Sequence, residues 1–376
     1  MGADLGVIGR QFAISGEYVS GGPYGMGHIN DTFAATFQQD HGPARFILQR
    51  INHHVFKDIE GLMSNIVAVT GHLSSKIRAG GGDVLRETLN LVPTRDGRSF
   101  LQTEAGEFWR VYVFIEGART YESVERMDHV HAAGRAYGNF QNLLSDFPSE
   151  ALIETIPDFH HTGKRFEDFL NAVDADVVNR ARTVIPEIGF VTKRGKLVTV
   201  LVDLLREGRL RRRITHNDTK FNNVMIDDRN GEGLCVIDLD TVMPGLSLYD
   251  FGDSIRSMAN TGAEDEPDLS RVEFDLEVFA SYTRGYLEAT RSFLDREEIE
   301  RLPFAAILMT LECGMRFLED YLRGDTYFKT TRPDHNLDRS RTQFKLIEGM
   351  EEDQEAMALL VERALAESAE GGLQGA

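Results

Sequence analysis

The hydrophobic pattern of this chain changes period once, near Glu116-Gly117, and that switch sets the architecture open to it. Before the switch, runs rich in β-branched and aromatic residues are punctuated by glycine. Thr32 to Phe37 and Arg45 to Ile51 read as strands separated by a turn at 38–44. Ile59, Leu62, Met63, Ile66 and Leu73 recur at three- and four-residue steps, which predicts a helix from about Asp58 to Arg78. Gly80-Gly81-Gly82 ends it. Asp96-Gly97 and Glu104-Ala105-Gly106-Glu107 predict the turns of two hairpins, and Trp109 to Ile115 the last strand. Past the switch, helical spacing dominates from about 124 to 207, as in Met127 to Leu144. A short hairpin interrupts near 224–237, and helices resume from about 251 to 365. The expectation is an α+β chain with two lobes. Residues 1–115 form a small antiparallel-sheet lobe with one helix, 116–123 a hinge, 124–366 a large, mainly helical lobe, and 367–376 a disordered tail. The cleft between lobes is the default ligand site.

Charge narrows the partners. Asp and Glu number 60 against 41 Lys and Arg, a net −19. A nucleic-acid surface needs clustered cations to neutralise phosphates, so that partner is excluded. The acid excess serves solubility and also suits a cationic substrate. The beginning, MGADLGVIGRQF, has no basic segment followed by an apolar run, and no apolar stretch reaches membrane-spanning length. Cys235 and Cys313 match no metal or disulfide spacing and read as buried thiols of a cytoplasmic protein. The sequence leaves the oligomeric state open.

The chemistry concentrates between residues 214 and 240, ITHNDTKFNNVMIDDRNGEGLCVIDLD. His216-x-Asp218 is followed by Asn223 five residues after Asp218, and by Asp238 twenty residues after it, at the end of the apolar run Leu234 to Ile237. Phosphoryl transfer needs a carboxylate beside the attacking hydroxyl and oxygen ligands for a magnesium ion on the phosphates. A loop bearing Asp218 and Asn223, then a hairpin ending at Asp238, can supply both. Lys220 lies where its ammonium can reach the transferred phosphoryl oxygens, and His216 reads as a loop organiser. An acidic turn before a strand is common, but this compound spacing is far rarer. Asp250-Phe251-Gly252 imitates a metal motif. It follows no strand, so Asp250 reads as the cap of a helix beginning near Phe251 and a brace for the catalytic loop.

These residues resemble the aminoglycoside phosphotransferase family, which shares the protein-kinase-like fold, and within it the bacterial N-acetylhexosamine 1-kinases. The matching segments are GMGHINDTF at 25–33, FILQRIN at 46–52, PDFHHTGKRF at 157–166, HNDTKFNNVM at 216–225 and GDTYFKTTRPDHNLDRSRTQFKL at 324–346. The resemblance implies an ATP- and magnesium-dependent kinase with Asp218 as base and Asn223 and Asp238 as metal ligands. Asp240 either assists a second metal or is structural. The implied acceptor is the 1-hydroxyl of an amino sugar, with an aminoglycoside, choline or another sugar as alternatives, or a nucleotide-binding pseudokinase. Gly25 and Gly27 fall where a phosphate-covering loop belongs, and Phe114 marks the hinge strand expected to meet adenine. Kinases place a lysine on the second strand of the pair, where this chain has Gln49; Arg50 belongs to the opposite face. Either Gln49 contacts the phosphates without a charge or strand twist brings Arg50 in, so the residue that balances the phosphates on this side is open, with Glu60 as a candidate partner for it. For the sugar pocket, the matching segments imply His28, Arg316 and Tyr327. Arg316 has a second reading as an ion-pair partner of Glu312 or Asp320 on its own helix, and Tyr327 a second reading as core.

Overall fold

A computed structural model describes residues 4–25 and 29–371. The chain opens with a short helix, α1 (Leu5–Arg10), then strands β1 (Glu17–Pro23), β2 (Asp31–Gln39) and β3 (Gly42–Ile51), and helices α2 (Ile59–Ala79) and α3 (Val84–Glu87). Strands β4 (Leu91–Val92), β5 (Leu101–Gln102), β6 (Phe108–Val113) and β7 (Ala118–Arg119) follow. The remainder is helical apart from four short strands. It comprises α4 (Met127–Leu143), α5 (Thr162–Ala175), α6 (Ile185–Lys193), α7 (Val200–Arg206), β8 (Arg213–Thr215), β9 (Val224–Asp227), β10 (Gly233–Val236) and β11 (Met243–Gly245). Then come α8 (Ser247–Met258), α9 (Leu276–Thr290), α10 (Arg296–Glu300), α11 (Leu302–Arg323), α12 (His335–Glu352) and α13 (Gln354–Gly371). No helix among the described residues is long and apolar enough to cross a membrane.

The antiparallel sheet runs β1-β2-β3-β6-β4, with β5 also on β6. Its alternation sorts side chains onto two faces. Phe46, Leu48, Trp109 and Val111 join Leu5, Ile8, Phe12 and Phe37 in one core. Ile51 and Tyr112 face the other way, into a core that takes in the apolar stripe of α2 and continues through the helical region. Asn65 of α2 anchors this junction. It donates to the carbonyl of Ile153 at 2.7 Å and accepts from the Ile153 N–H at 2.8 Å. α2 ends where the glycines stand, with Gly81 at φ +77°.

Four details depart from the sequence reading, the first being that α13 runs on to Gly371, into the stretch from 367 expected to be disordered. Asp4 caps α1 by accepting from the Val7 N–H, so this part of the chain has more than one helix. The turn at Asp96-Gly97 forms, but its flanking strands β4 and β5 lie end to end along β6 instead of pairing with each other. Cys235 is buried, whereas Cys313 is only partly so.

Candidate active site

The stretch from Thr215 to Lys220 leaves β8 and crosses to a short 3₁₀ turn at Phe221–Asn223. Its backbone is held from several elements. Asp250, fully buried in the first turn of α8, accepts from the N–H of His216 at 2.9 Å and of Asn217 at 2.8 Å. The same carboxylate accepts from Gln141 at 2.7 Å. α8 begins at Ser247, so Asp250 is not its N-cap; the bracing of the loop is what its carboxylate does. Asp253, one turn on, accepts from the Thr219 N–H at 2.8 Å, and its other oxygen pairs with Arg256 at 2.8 Å. His216 spans the loop, Nε2 at 2.8 Å from the carbonyl of Ile237. Tyr137 donates to the Lys220 carbonyl at 2.7 Å. Asn217 adopts φ +65°, a left-handed conformation that asparagine tolerates better than most residues.

What this scaffold presents is a compact polar cluster. The Asp218 side chain is 26% exposed, with Lys220 Nζ 3.1 Å from its Oδ1. The Asp218 carboxylate raises the Lys220 pKa and so keeps the ammonium charged. Asn223 Nδ2 lies 2.9 Å from the Asp218 carbonyl and 3.3 Å from its Oδ2. The amide nitrogen is thus committed, while Oδ1 makes no hydrogen bond among the described residues. Asp238 follows β10 with φ +59°. Its carboxyl is pushed up to about 6, by loss of surrounding water and by the carboxylates of Asp240 and Asp218. The residue is exposed, so crowding of like charge is the firmer cause, and a bound cation would relieve it.

Residues 23–292 match the phosphotransferase enzyme family (APH), a stretch that holds the sheet from β2 onward and this acidic cluster. The chain belongs to that family. Solved structures agree on the fold. A microcompartment-associated aminopropanol kinase superposes with TM-score 0.56 at 17% identity, covering 94% of this chain and 99% of that one. A choline kinase from Cryptosporidium parvum gives 0.55 at 14%, covering 96% and 98%. An aminoglycoside phosphotransferase from Alicyclobacillus acidocaldarius gives 0.56 at 11%, covering 98% of each chain. The α+β, kinase-like fold expected from the sequence is therefore the one observed.

On the sheet side of this phosphotransferase, Gly21 and Gly22 lie within β1, opposite Ala35 and Ala34. The turn to β2 carries Gly25 at φ +75°, with open space where a side chain would stand. Gly27 and His28 lie outside the described residues. Gln49 faces the α2 side of the sheet, as its register predicts. Its amide donates to Thr32 Oγ1 at 3.0 Å and accepts from Arg110 Nε at 3.0 Å. Arg50 stays on the outer face, bound to Asp31 and, at 2.6 Å, to Glu107, so strand twist does not bring it inward. Glu60 is exposed and makes no ion pair among the described residues. Asp240 is buried and engages Arg110 through one oxygen and Asn30, at 2.6 Å, through the other. Phe114 is buried, its N–H donating to the Arg45 carbonyl at 3.1 Å and its ring 3.7 Å beneath the Arg45 guanidinium. Its N–H is thus committed within the protein.

On the helical side, α11 connects to this loop through Glu312 and His160. Glu312, 1% exposed, accepts from Thr162 at 2.5 Å and faces His160 Nδ1 at 2.7 Å. His160 Nε2 reaches the Asn217 carbonyl at 3.1 Å, one residue from Asp218. Burial opposes charge on His160, but the Glu312 carboxylate outweighs it and raises the ring's pKa. Asp320 accepts from the N–H groups of Thr326, Tyr327 and Phe328 at 2.8–2.9 Å and so shapes the loop after α11. With both acids engaged, Arg316 has no ion-pair partner among the described residues. Its guanidinium sits 5.6–5.9 Å from the rings of Phe159, Tyr327 and Phe328. Tyr327 is 67% exposed, which removes the core reading. Arg110, His160, Asp253 and Arg256 were not singled out in the sequence. An arginine inside an apolar strand was the one local signal, at Arg110; the others carry meaning only through the fold.

Proposed function

We propose that this phosphotransferase is an ATP- and magnesium-dependent N-acetylhexosamine 1-kinase. The observation that carries the reading is Arg316, a cation with no ion pair among the described residues, set among three aromatic rings on the proposed acceptor side. A guanidinium so placed repels a quaternary or primary amine and offers paired donors to neutral sugar oxygens. That sets this chain apart from relatives named for amine substrates, although its net charge of −19 favours a cationic acceptor. The segments at 157–166 and 324–346, which carried the sugar-kinase resemblance, supply Phe159, Tyr327 and Phe328.

Asp238 and Asn223 would hold the magnesium. Among the described residues no three His, Cys, Asp or Glu side chains form a cage. Magnesium held through one or two carboxylates and phosphate oxygens needs none, so the donor set fits. Bound ATP would supply the phosphoryl group, with magnesium offsetting its charge. Asp218 takes the proton of the sugar 1-hydroxyl, a role that typically contributes roughly 10²–10⁴-fold. Lys220 pairs with the Asp218 carboxylate and would face the incoming phosphoryl oxygens. In this reading residues 1–115 carry the nucleotide, 116–123 the hinge and 124–366 the acceptor. An ADP-release assay with N-acetylglucosamine, N-acetylgalactosamine, choline and kanamycin tests it. Saturable turnover with the sugars, giving a sugar 1-phosphate by phosphorus NMR, is expected; turnover with the cationic acceptors alone overturns it.

A further inference from the structure

The strand position that bears a lysine in kinases is Gln49, which has no charge to offer a phosphate. The three cations on the long strands of the sheet are Arg45, Arg50 and Arg110. Arg45 pairs with Glu116 at the edge, and Arg50 with Asp31 and Glu107 on the outer face. Arg110 remains. It is the direct partner of Gln49 across the β3–β6 ladder, on the face that looks toward α2 and Asp240. Directly opposed side chains on one face lie close enough to replace one another functionally.

We propose that Arg110 takes the place of the strand lysine and meets the nucleotide's phosphates, with Asp240 as its fixed counter-ion. The inference rests on the cleft binding ATP, as above. Three observations carry it. Arg110 is 1% exposed, yet only two of its three guanidinium nitrogens are engaged among the described residues: Nε by Gln49 and Nη1 by Asp240. Nη2 makes no hydrogen bond there, and a guanidinium donates in a fork suited to phosphate. Asp240 is itself fixed by Asn30, so the guanidinium has one orientation. Finally, Asp240, which Arg110 engages, stands two residues from Asp238. The group is therefore close to the proposed metal centre. Gln49 becomes the spacer that orients the arginine, which explains an uncharged residue at that position. Asp240 then pairs the cation, the role for which Glu60 was a candidate.

Calorimetry of ATP, ADP and adenosine binding to wild type, Arg110→Lys and Arg110→Gln, without sugar and with chelator present, separates the possibilities. The glutamine variant should weaken ATP and ADP about 10- to 100-fold, the range of a charge-assisted hydrogen bond, and leave adenosine unchanged. Lysine should recover part of the loss. Removing one partner of a buried ion pair can unfold a protein. Arg110→Gln combined with Asp240→Asn cancels both charges and should show the same phosphate-selective loss. Equal weakening of all three ligands would make Arg110 structural and overturn the proposal, as would undiminished ATP binding by the variants. Failure of wild type to bind any nucleotide would instead sink the ATP reading beneath it.

Discussion

In the loop that carries Asp218, one backbone group after another is tied to a buried side chain from a different element; in the sheet, the inward polar residues hold mostly one another. Asp250, Asp253, His216 and Tyr137 fix the positions from 216 to 220. Gln49, Arg110, Thr32, Asp240 and Asn30 form a chain of side-chain contacts with few backbone anchors. The difference teaches where chemistry can move in a fold. A loop held by its main chain leaves its functional side chains at set places along the sequence. A face held by side chains allows charge to sit on the neighbouring strand, as proposed for Arg110.

The contrast is broken most severely at Asp218. Asp218→Asn should lower kcat by roughly 10²–10⁴-fold with nucleotide affinity retained, measured by ADP release and calorimetry. An unchanged kcat would remove the catalytic loop from the comparison. Asp250→Ala leaves two buried N–H groups without an acceptor. It should lower stability by about 1–3 kcal/mol for each, seen in urea unfolding, and kcat should fall with it. Loss of stability with full kcat would show that the loop does not need its brace. Arg316→Ala should raise the acceptor KM about tenfold or more and leave the ATP KM in place, consistent with loss of a charged hydrogen bond. A shift in the ATP KM instead would relocate Arg316 to the nucleotide side.

The smallest effect is a pH dependence of the His160–Glu312 pair. The His160 pKa is raised in the folded protein. Its contribution is complete below the unfolded value of about 6.5 and fades as pH rises through the higher folded value. The stability gap between wild type and His160→Gln should accordingly be wide at acidic-to-neutral pH and narrow in alkali, by urea unfolding. A gap that widens in alkali would mean that the ring is held neutral. For Glu312, whose pKa is lowered, the sign is opposite, and its contribution fades as pH falls through that lower value.

Much of this was legible along the chain because the residues concerned are near neighbours in it. Asp218, Lys220 and Asn223 share one loop, and Asp238 ends the next hairpin, so spacing alone brought them together. The α2 stripe and its glycine stop were equally local. Arg110 was not legible, because its meaning depends on which residue lies across the ladder. Neither were His160 and Glu312, which are 152 residues apart. α1 is a six-residue helix whose main signal is the single cap Asp4, too short for a periodicity. The cap reading of Asp250 failed because α8 starts one turn earlier than its apolar pattern implies.

Asn65 has a mechanical corollary. Through it, α2 is riveted to the segment around Ile153, and its apolar side is fused with the interior of the larger half. This helix cannot swing outward as a switch without tearing buried amide contacts. Any closing over a nucleotide would then fall to the strands above that helix.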